Sequence, residues 1–507
     1  MQYPTGQAPA SREKHPETPA WQALATILHV VRGIPWPRSR QPGPDISKRS
    51  CRTFPAVLRR VVCALVALAP APAHADGIAI VGGSPRSIGR AGAATVGDDG
   101  GGALLINPAA LARRDLTRLQ LGATTIEDEL HWQSATDATP LSSGQAGSRL
   151  APLGAAIGPC GSWIVGAAMM TSGVSARALA RPGDARGDLG STYDYRYAGI
   201  AGSYRRDTLA LGAARRLGDS IAVGLSITAS RVAVSEHRRI WAGFAGRAAI
   251  GDPRSDVDLE LTASETVTPS AVVGLLYAPD DSRLELGGSL AWSPTVALEG
   301  TVTAVGSQPD GPSIEATGAP RATLEVRQPW TLRAGARYVG ERVVAELDGD
   351  LWFASDAARS ASWQLRGVRV VDPSQVATDL LRVPSRISYG SHVALRASLD
   401  VELIPGFLWA TGGYALSTAA TSASRQSPSF GDLGGHTLGL GIETTTGGVT
   451  VTLGWSRTWS LSSSATTDLA LDNPFIGGDG PVPAGTYGGS IDQVGVLVEL
   501  ELGGATR

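Results

Sequence analysis

Val449-Thr-Val-Thr-Leu-Gly-Trp-Ser-Arg-Thr-Trp459 alternates without interruption. Its odd positions read Val, Val, Leu, Trp, Arg, Trp, and its even positions Thr, Thr, Gly, Ser, Thr. A period of two sends these two sets to opposite faces of a strand. Ile387 to Leu403 repeats the pattern, with Val393, Leu395, Leu399 and Val401 on one face and Arg396, Asp400 and Glu402 on the other. The last segment sets Val494, Val496, Val498, Leu500 and Leu502 against Gln493, Glu499 and Glu501.

Working outward, fourteen such segments can be marked: 116–132, 149–158, 161–173, 195–216, 219–237, 265–278, 282–304, 326–338, 340–354, 386–402, 406–418, 435–446, 449–461 and 490–502. Their connections alternate in length. Pro159-Cys160, Leu217-Gly218, Pro279-Asp280-Asp281, Val339, Leu403-Ile404-Pro405 and Gly447-Gly448 are tight turns. The intervening stretches 133–148, 174–194, 238–264, 355–385 and 462–489 are long and rich in Gly, Ser, Asp and Pro, and read as loops. A soluble sandwich has no reason to sort its loops this way. A membrane-spanning antiparallel barrel does, with short periplasmic turns on one rim and long extracellular loops on the other. Closure is also the only way strands can pair every backbone group in lipid. Aromatic residues favour the strand ends (Trp132, Trp163, Tyr277, Trp330, Tyr338, Trp352, Tyr389, Trp409, Trp459), where an interfacial girdle belongs. The expected fold is therefore all-β: a 14-stranded transmembrane barrel over 116–507, with both ends on the periplasmic side.

Composition agrees. The 507 residues include 63 Gly and only 18% charged residues, which disfavours a helical bundle. No apolar run reaches the length of a transmembrane helix. Residues 1–75 carry two Lys and eight Arg against three acids, or +7; the chain totals −2, so the remainder is −9. An acidic body argues against a nucleic-acid partner. His131, His237, His392 and His436 have no metal-ligand spacing, and Cys160 is the one thiol beyond the leader. No nucleophile elbow or phosphate loop appears, so neither enzyme activity, nor a cofactor, nor a metal is expected.

Arg59-Arg60, the apolar run Val61–Ala69 and the small-residue site Ala73-His74-Ala75 form a secretory signal peptide over 51–75, cleaved after Ala75. Residues 1–50 are polar and Pro-rich; they are either a disordered extension or lie upstream of a true start near Val57.

Charges facing lipid are costly, so Arg342, Glu346, Asp348, Asp350, Arg396, Asp400 and Glu402 should point inward, either pairing with one another in a wet lumen or holding a plug in place. A candidate plug precedes the barrel. Residues 76–115 do not alternate, yet carry short apolar clusters among small residues. They contain Gly89-Arg90-Ala91, Asp98-Asp99 and Asn107-Pro108-Ala109-Ala110-Leu111, the last a turn-initiating Asn-Pro.

In this order, closely behind a signal peptide, these motifs resemble the FadL/TodX family of outer-membrane transporters for hydrophobic compounds. Thr268–Pro279 with Leu284–Gly300 looks like that family's central hairpin, and Gln328–Tyr338 with Glu346–Phe353 resembles its Pro-led strand pair. The resemblance implies a lumenal hatch over 76–115, with Gly89, Arg90, Asp98, Asp99, Asn107, Pro108 and Ala109 in structural and gating roles. It implies a hydrophobic ligand, long-chain fatty acids first and aromatic hydrocarbons second, captured near the extracellular loops and released laterally into outer-membrane lipid of a Gram-negative cell. Trp241 and Phe244 are candidate capture contacts, and the family pattern implies a monomer. The competing reading is a non-transporting barrel whose long loops bind an extracellular partner.

Overall fold

The structure is a computed structural model that describes residues 83–134, 141–142, 146–179, 194–197, 199–243, 252–306, 309–327, 329–354, 361–387, 389–421, 426–465 and 485–502. The expected leader, residues 76–82 of the hatch, and Phe244 lie outside the described residues.

Among the described residues, twenty-one strand segments join one sheet. Two of them, Leu141–Ser142 and Ser463–Ala465, are short flanking pieces. The rest form fourteen wall strands, four of them built from two or three collinear pieces. These are β1 (Thr117–Ser134), β2 (Arg149–Cys160), β3 (Trp163–Ala178), β4 (Ala201–Leu217), β5 (Ile221–Trp241) and β6 (Asp256–Tyr277). Then come β7 (Leu284–Trp292 and Thr295–Gly306), β8 (Ser313–Arg327 and Trp330–Val339), β9 (Val343–Phe353 and Ser362–Val371) and β10 (Ala377–Asp379, Arg382–Pro384 and His392–Ile404). β11 (Leu408–Ser417), β12 (Gly435–Thr446), β13 (Val449–Ser460) and β14 (Gly485–Leu502) complete the wall. Each strand pairs antiparallel with its neighbours, and β14 closes on β1 from Thr117↔Leu502 to Ser134↔Gly485. The chain is a closed 14-stranded antiparallel barrel. No described helix is long and apolar enough to cross a membrane.

Along β5 the reason for the fold can be read residue by residue. Ile221, Leu225 and Ile227 are exposed on the outer face, while Ser226, Thr228 and Ser230 are buried on the inner one. Above Ser230 the polarity inverts. Val232, Val234 and Ile240 now point inward, with Glu236 and Arg238 between them as a buried ion pair, and Arg231, Ser235 and His237 outward. A register shift between Ser230 and Val232 lets β6 make the same change, so that Val257, Leu259 and Leu261 are buried. β7 and β8 invert where their pieces meet: exposed Trp292 and Trp330 face outward below, and buried Leu298 and Leu324 inward above. A barrel with lipid around its lower part and water around its upper part would turn its apolar face from outside to inside in this way.

This inversion corrects the loop boundaries. The stretches 238–264 and 355–385, expected to be loops, contain the upper parts of β5, β6, β9 and β10, and 313–327 is the upper part of β8. Together these extend the barrel above the membrane around a dry interior that includes Val232, Leu259, Leu324, Trp363 and Val383. The aromatic girdle is also smaller than expected. Trp163, Tyr277, Trp330, Tyr338 and Trp459 are exposed, but Trp132 is 3% exposed and Trp352 and Tyr389 turn into the lumen. Of the expected inward charges, Arg342 lies exposed in the β9 entry turn, and Glu402 accepts a bond from the Gly406 amide at the next turn.

Candidate functional site

Residues 83–114 fold inside the barrel near its periplasmic end. Ser84 caps a one-turn helix, α1 (Pro85–Ile88), through a reciprocal capping box with Ser87, and Pro85 supplies the preset φ of the first position. A second single turn, α2 (Ala103–Ile106), runs into a 3₁₀ segment, Pro108–Arg113, whose N-cap is Asn107. Turns this short do not stand alone in water. Side chains of the wall hold them.

The first hold is a carboxylate clasp on β9. Asp348 Oδ2 accepts from the backbone N–H groups of Ala94 and Thr95, both at 2.8 Å. Glu346 Oε1 accepts from Val96 at 2.8 Å and Gly97 at 3.0 Å. Arg90 makes a two-pronged ion pair with Asp400 of β10, at 3.1 and 2.7 Å. Glu346, Asp348 and Asp400 are thus lumenal charges that hold the plug. A second network surrounds Asp99, which pairs with Arg118 of β1 at 3.1 Å, Arg114 at 2.8 Å and Arg86 at 3.3 Å. Arg86 also reaches Glu443 of β12 at 2.8 Å. Burial pushes the Asp99 carboxyl up, but Arg118, Arg114 and Arg86 outweigh it and hold it well below the usual carboxylate range. Asp98 accepts from Ser84 Oγ at 2.8 Å and from the Gly100 amide at 3.0 Å, tying the two halves of the hatch together. Arg113 grips Glu285 of β7 at 2.7 and 2.9 Å.

Asn107 is fully buried. Its Nδ2 donates to the carbonyls of Thr95 at 2.8 Å and Leu275 of β6 at 3.2 Å, while Oδ1 accepts from the Ala109 amide at 3.2 Å. Where the hatch backbone meets the wall, the wall residue is glycine. A Cβ on Gly274 would stand 2.1 Å from Asn107 Oδ1, one on Gly224 2.4 Å from the Ala109 nitrogen, and one on Gly413 2.2 Å from the Arg90 carbonyl carbon. Gly439 and Gly454 face Gly89 and its neighbours in the same way. Of the expected residues, Gly89, Arg90, Asp99, Asn107, Pro108 and Ala109 are at the hatch–wall contact, while Asp98 bonds within the hatch. This belt of wall glycines, and the partners Arg86, Arg113, Arg118, Glu285 and Glu443, were not singled out from the sequence. Inward strand parity was the signal available for those of them on wall strands.

Above the hatch lie two cavities. One of about 290 Å³ is floored by Ala91, Gly92 and Thr95 and carries Asp350 and Arg396. The other, about 270 Å³, reaches Ser172, Gly173, Tyr204 and Arg206. Arg333 lines both; it lies 3.8 Å from Asp350, whose second partner is Arg396 at 2.5 Å. Trp352 lines both too, stacked on His392 with centroids 4.3 Å apart.

Beside the second cavity the wall is broken. The β2–β3 ladder ends at Leu153↔Met170, although both strands continue, and a register shift falls between Thr171 and Gly173. Above the break β3 leans on β1 instead, through Arg177 and Asp128 at 2.9 Å. Arg205 spans the break, donating to Thr171 Oγ1 at 2.9 Å and to the freed Leu150 carbonyl at 3.4 Å.

A sequence model described as outer membrane protein transport protein (OMPP1/FadL/TodX) matches residues 66–338, more than half of the chain. The chain belongs to that family. It is an outer-membrane transporter of hydrophobic substrates of the FadL/TodX type, not a member of an enzyme class. The fold resembles a Pseudomonas aeruginosa FadL homologue (13% identity, 85% of this chain and 99% of that one, TM-score 0.66). It also resembles the P. putida toluene transporter TodX (15%, 85% and 100%, 0.60) and the Ralstonia pickettii toluene transporter TbuX (15%, 84% and 99%, 0.58). Comparison with the curated proteins finds no match. Trp241, a candidate capture contact, is 1% exposed at the upper end of β5.

Proposed function

We propose that this FadL/TodX-type barrel imports anionic amphiphiles of the long-chain fatty-acid class, gated by its hatch and released sideways into outer-membrane lipid. One observation carries the choice of ligand: Arg333 and Arg396 share the single carboxylate of Asp350 on the cavity above the hatch. Two guanidiniums against one carboxylate leave a positive charge that a ligand carboxylate complements, and buried Arg–carboxylate pairs are strong and directional. A hydrocarbon offers this site nothing. The exit fits the break above Leu153↔Met170, because an apolar chain gains by passing directly from cavity to lipid. Gly89, Arg90, Asp99, Asn107, Pro108 and Ala109 then act as gate by letting go of the wall, with Asp98 keeping the two halves of the hatch together. Export follows the signal peptide cleaved after Ala75, and each barrel works as a monomer.

The test is uptake by cells that lack their own fatty-acid channel and express residues 76–507 behind a standard signal peptide. Oleate uptake that falls several-fold in the Arg333→Gln, Arg396→Gln double variant is the expected result. Toluene uptake with no oleate uptake moves the assignment to aromatic hydrocarbons. Uptake of neither, by a correctly assembled barrel, favours a non-transporting barrel whose extracellular face binds a partner.

A further inference from the structure

We propose that Trp352 is a movable partition between the two lumenal cavities and sets the bulk of ligand that can reach the wall break. The proposal rests on the transport reading above and adds a selectivity element to it.

The side chains that line both cavities form the boundary between them, and these are Ile106, Pro329, Arg333, Trp352 and Tyr389. Arg396 and Asp350 lie on one side only, and Ser172 and Gly173, beside the break, only on the other. A ligand anchored at Arg396 must therefore cross this boundary to leave by the break. Trp352 is the largest member of the boundary, and its ring is clamped from two sides. It sits directly across from His392 in the β9–β10 register, and the two rings are stacked at 4.3 Å with planes 10° apart. The Arg396 guanidinium lies 5.7 Å from the Trp352 ring, a cation–π distance. Arg396 thus serves two groups at once, the Asp350 carboxylate and the indole. A ligand carboxylate that draws Arg396 toward itself loosens one side of the clamp on Trp352. Headgroup binding and opening of the partition are thereby linked through one guanidinium.

The experiment compares uptake of octanoate, oleate and a pyrene-labelled fatty acid by cells expressing the wild type, Trp352→Ala or Trp352→Phe, with surface protein level and heat-modifiable migration recorded for each. In Trp352→Ala the pyrene-labelled acid should gain several-fold relative to octanoate. Trp352→Phe, which keeps a stacked ring, should stay near the wild-type profile. Because the readout is a ratio between ligands, a lower amount of assembled protein does not move it. Wild-type uptake of oleate with an unchanged ratio in both variants overturns the partition alone, as does a uniform fall for all three acids. Absence of uptake by the assembled wild type overturns the transport reading, and the partition with it.

Discussion

Asn107 joins the hatch to the wall through both ends of one amide. Replacing it by alanine removes the donor from the buried Thr95 carbonyl and the half-buried Leu275 carbonyl, and the cap from the Ala109 amide. Leaving buried polar groups unpaired costs about 1–3 kcal/mol each. That is enough to loosen one-turn helices, yet it leaves the β1–β14 closure untouched. Asn107→Ala should therefore speed amide exchange across 95–110, with heat-modifiable migration of the barrel unchanged. Unaltered exchange would show that the hatch is held elsewhere. Gly274→Ala approaches the same contact from the wall, since its Cβ would fall 2.1 Å from Asn107 Oδ1. It should release the same amides without removing any hydrogen-bonding group.

Among the elements, β9 makes the clasp. Glu346 and Asp348, two residues apart and so on one face, take the amides of four consecutive hatch residues. Hydrogen bonds to a charged acceptor are about twice as strong as neutral ones. The paired substitution Glu346→Ala, Asp348→Ala should consequently undock the hatch and admit small hydrophilic solutes, read as antibiotic sensitivity of expressing cells. Asp99 responds differently to pH. A carboxylate whose folded pKa is depressed adds stability above its unfolded value, about 3.9, and loses it only as pH falls through the folded value. The difference in hatch protection between wild type and Asp99→Asn should then stay constant from pH 8 to pH 5. Strand parity made much of this legible in advance. Glu346, Asp348 and Asp400 stand at inward positions of alternating strands, so parity alone sends them into the lumen, while the choice between pairing with one another and holding a plug needed the structure. The glycines opposite the hatch were not legible, because an inward glycine on a strand looks the same whether it meets water or another backbone. Arg342 was misplaced because parity continues past the end of β9 while the sheet does not.

At the scale of the whole molecule, the inversion of the apolar face marks the outer boundary of the membrane. It also explains why the extension was hidden. Leu259, Leu324 and Trp363 keep the strand period but sit on the face opposite to that of the lipid belt, across the register shift of β6 or the breaks in β8 and β9. On β5 the lipid-facing run Ile221 to Ala229 is nine residues long, which suits a tilted strand crossing a bilayer. Two arginine substitutions on the outer face of this strand test the boundary. Leu225 is 52% exposed in the middle of the run, and an arginine there must enter hydrocarbon at about 2–4 kcal/mol. Ser235 lies above the inversion, where an arginine meets water and loses the hydrogen bond to the Ser203 hydroxyl, so it should cost about 1 kcal/mol. Unfolding of each variant from lipid vesicles in a denaturant series measures both costs. A large penalty for Leu225→Arg and a clearly smaller one for Ser235→Arg places the water boundary near Ser230. Equal penalties would mean that lipid also covers the upper half of β5, and the dry interior around Leu259 would then need another cause than exposure of the outer face to water.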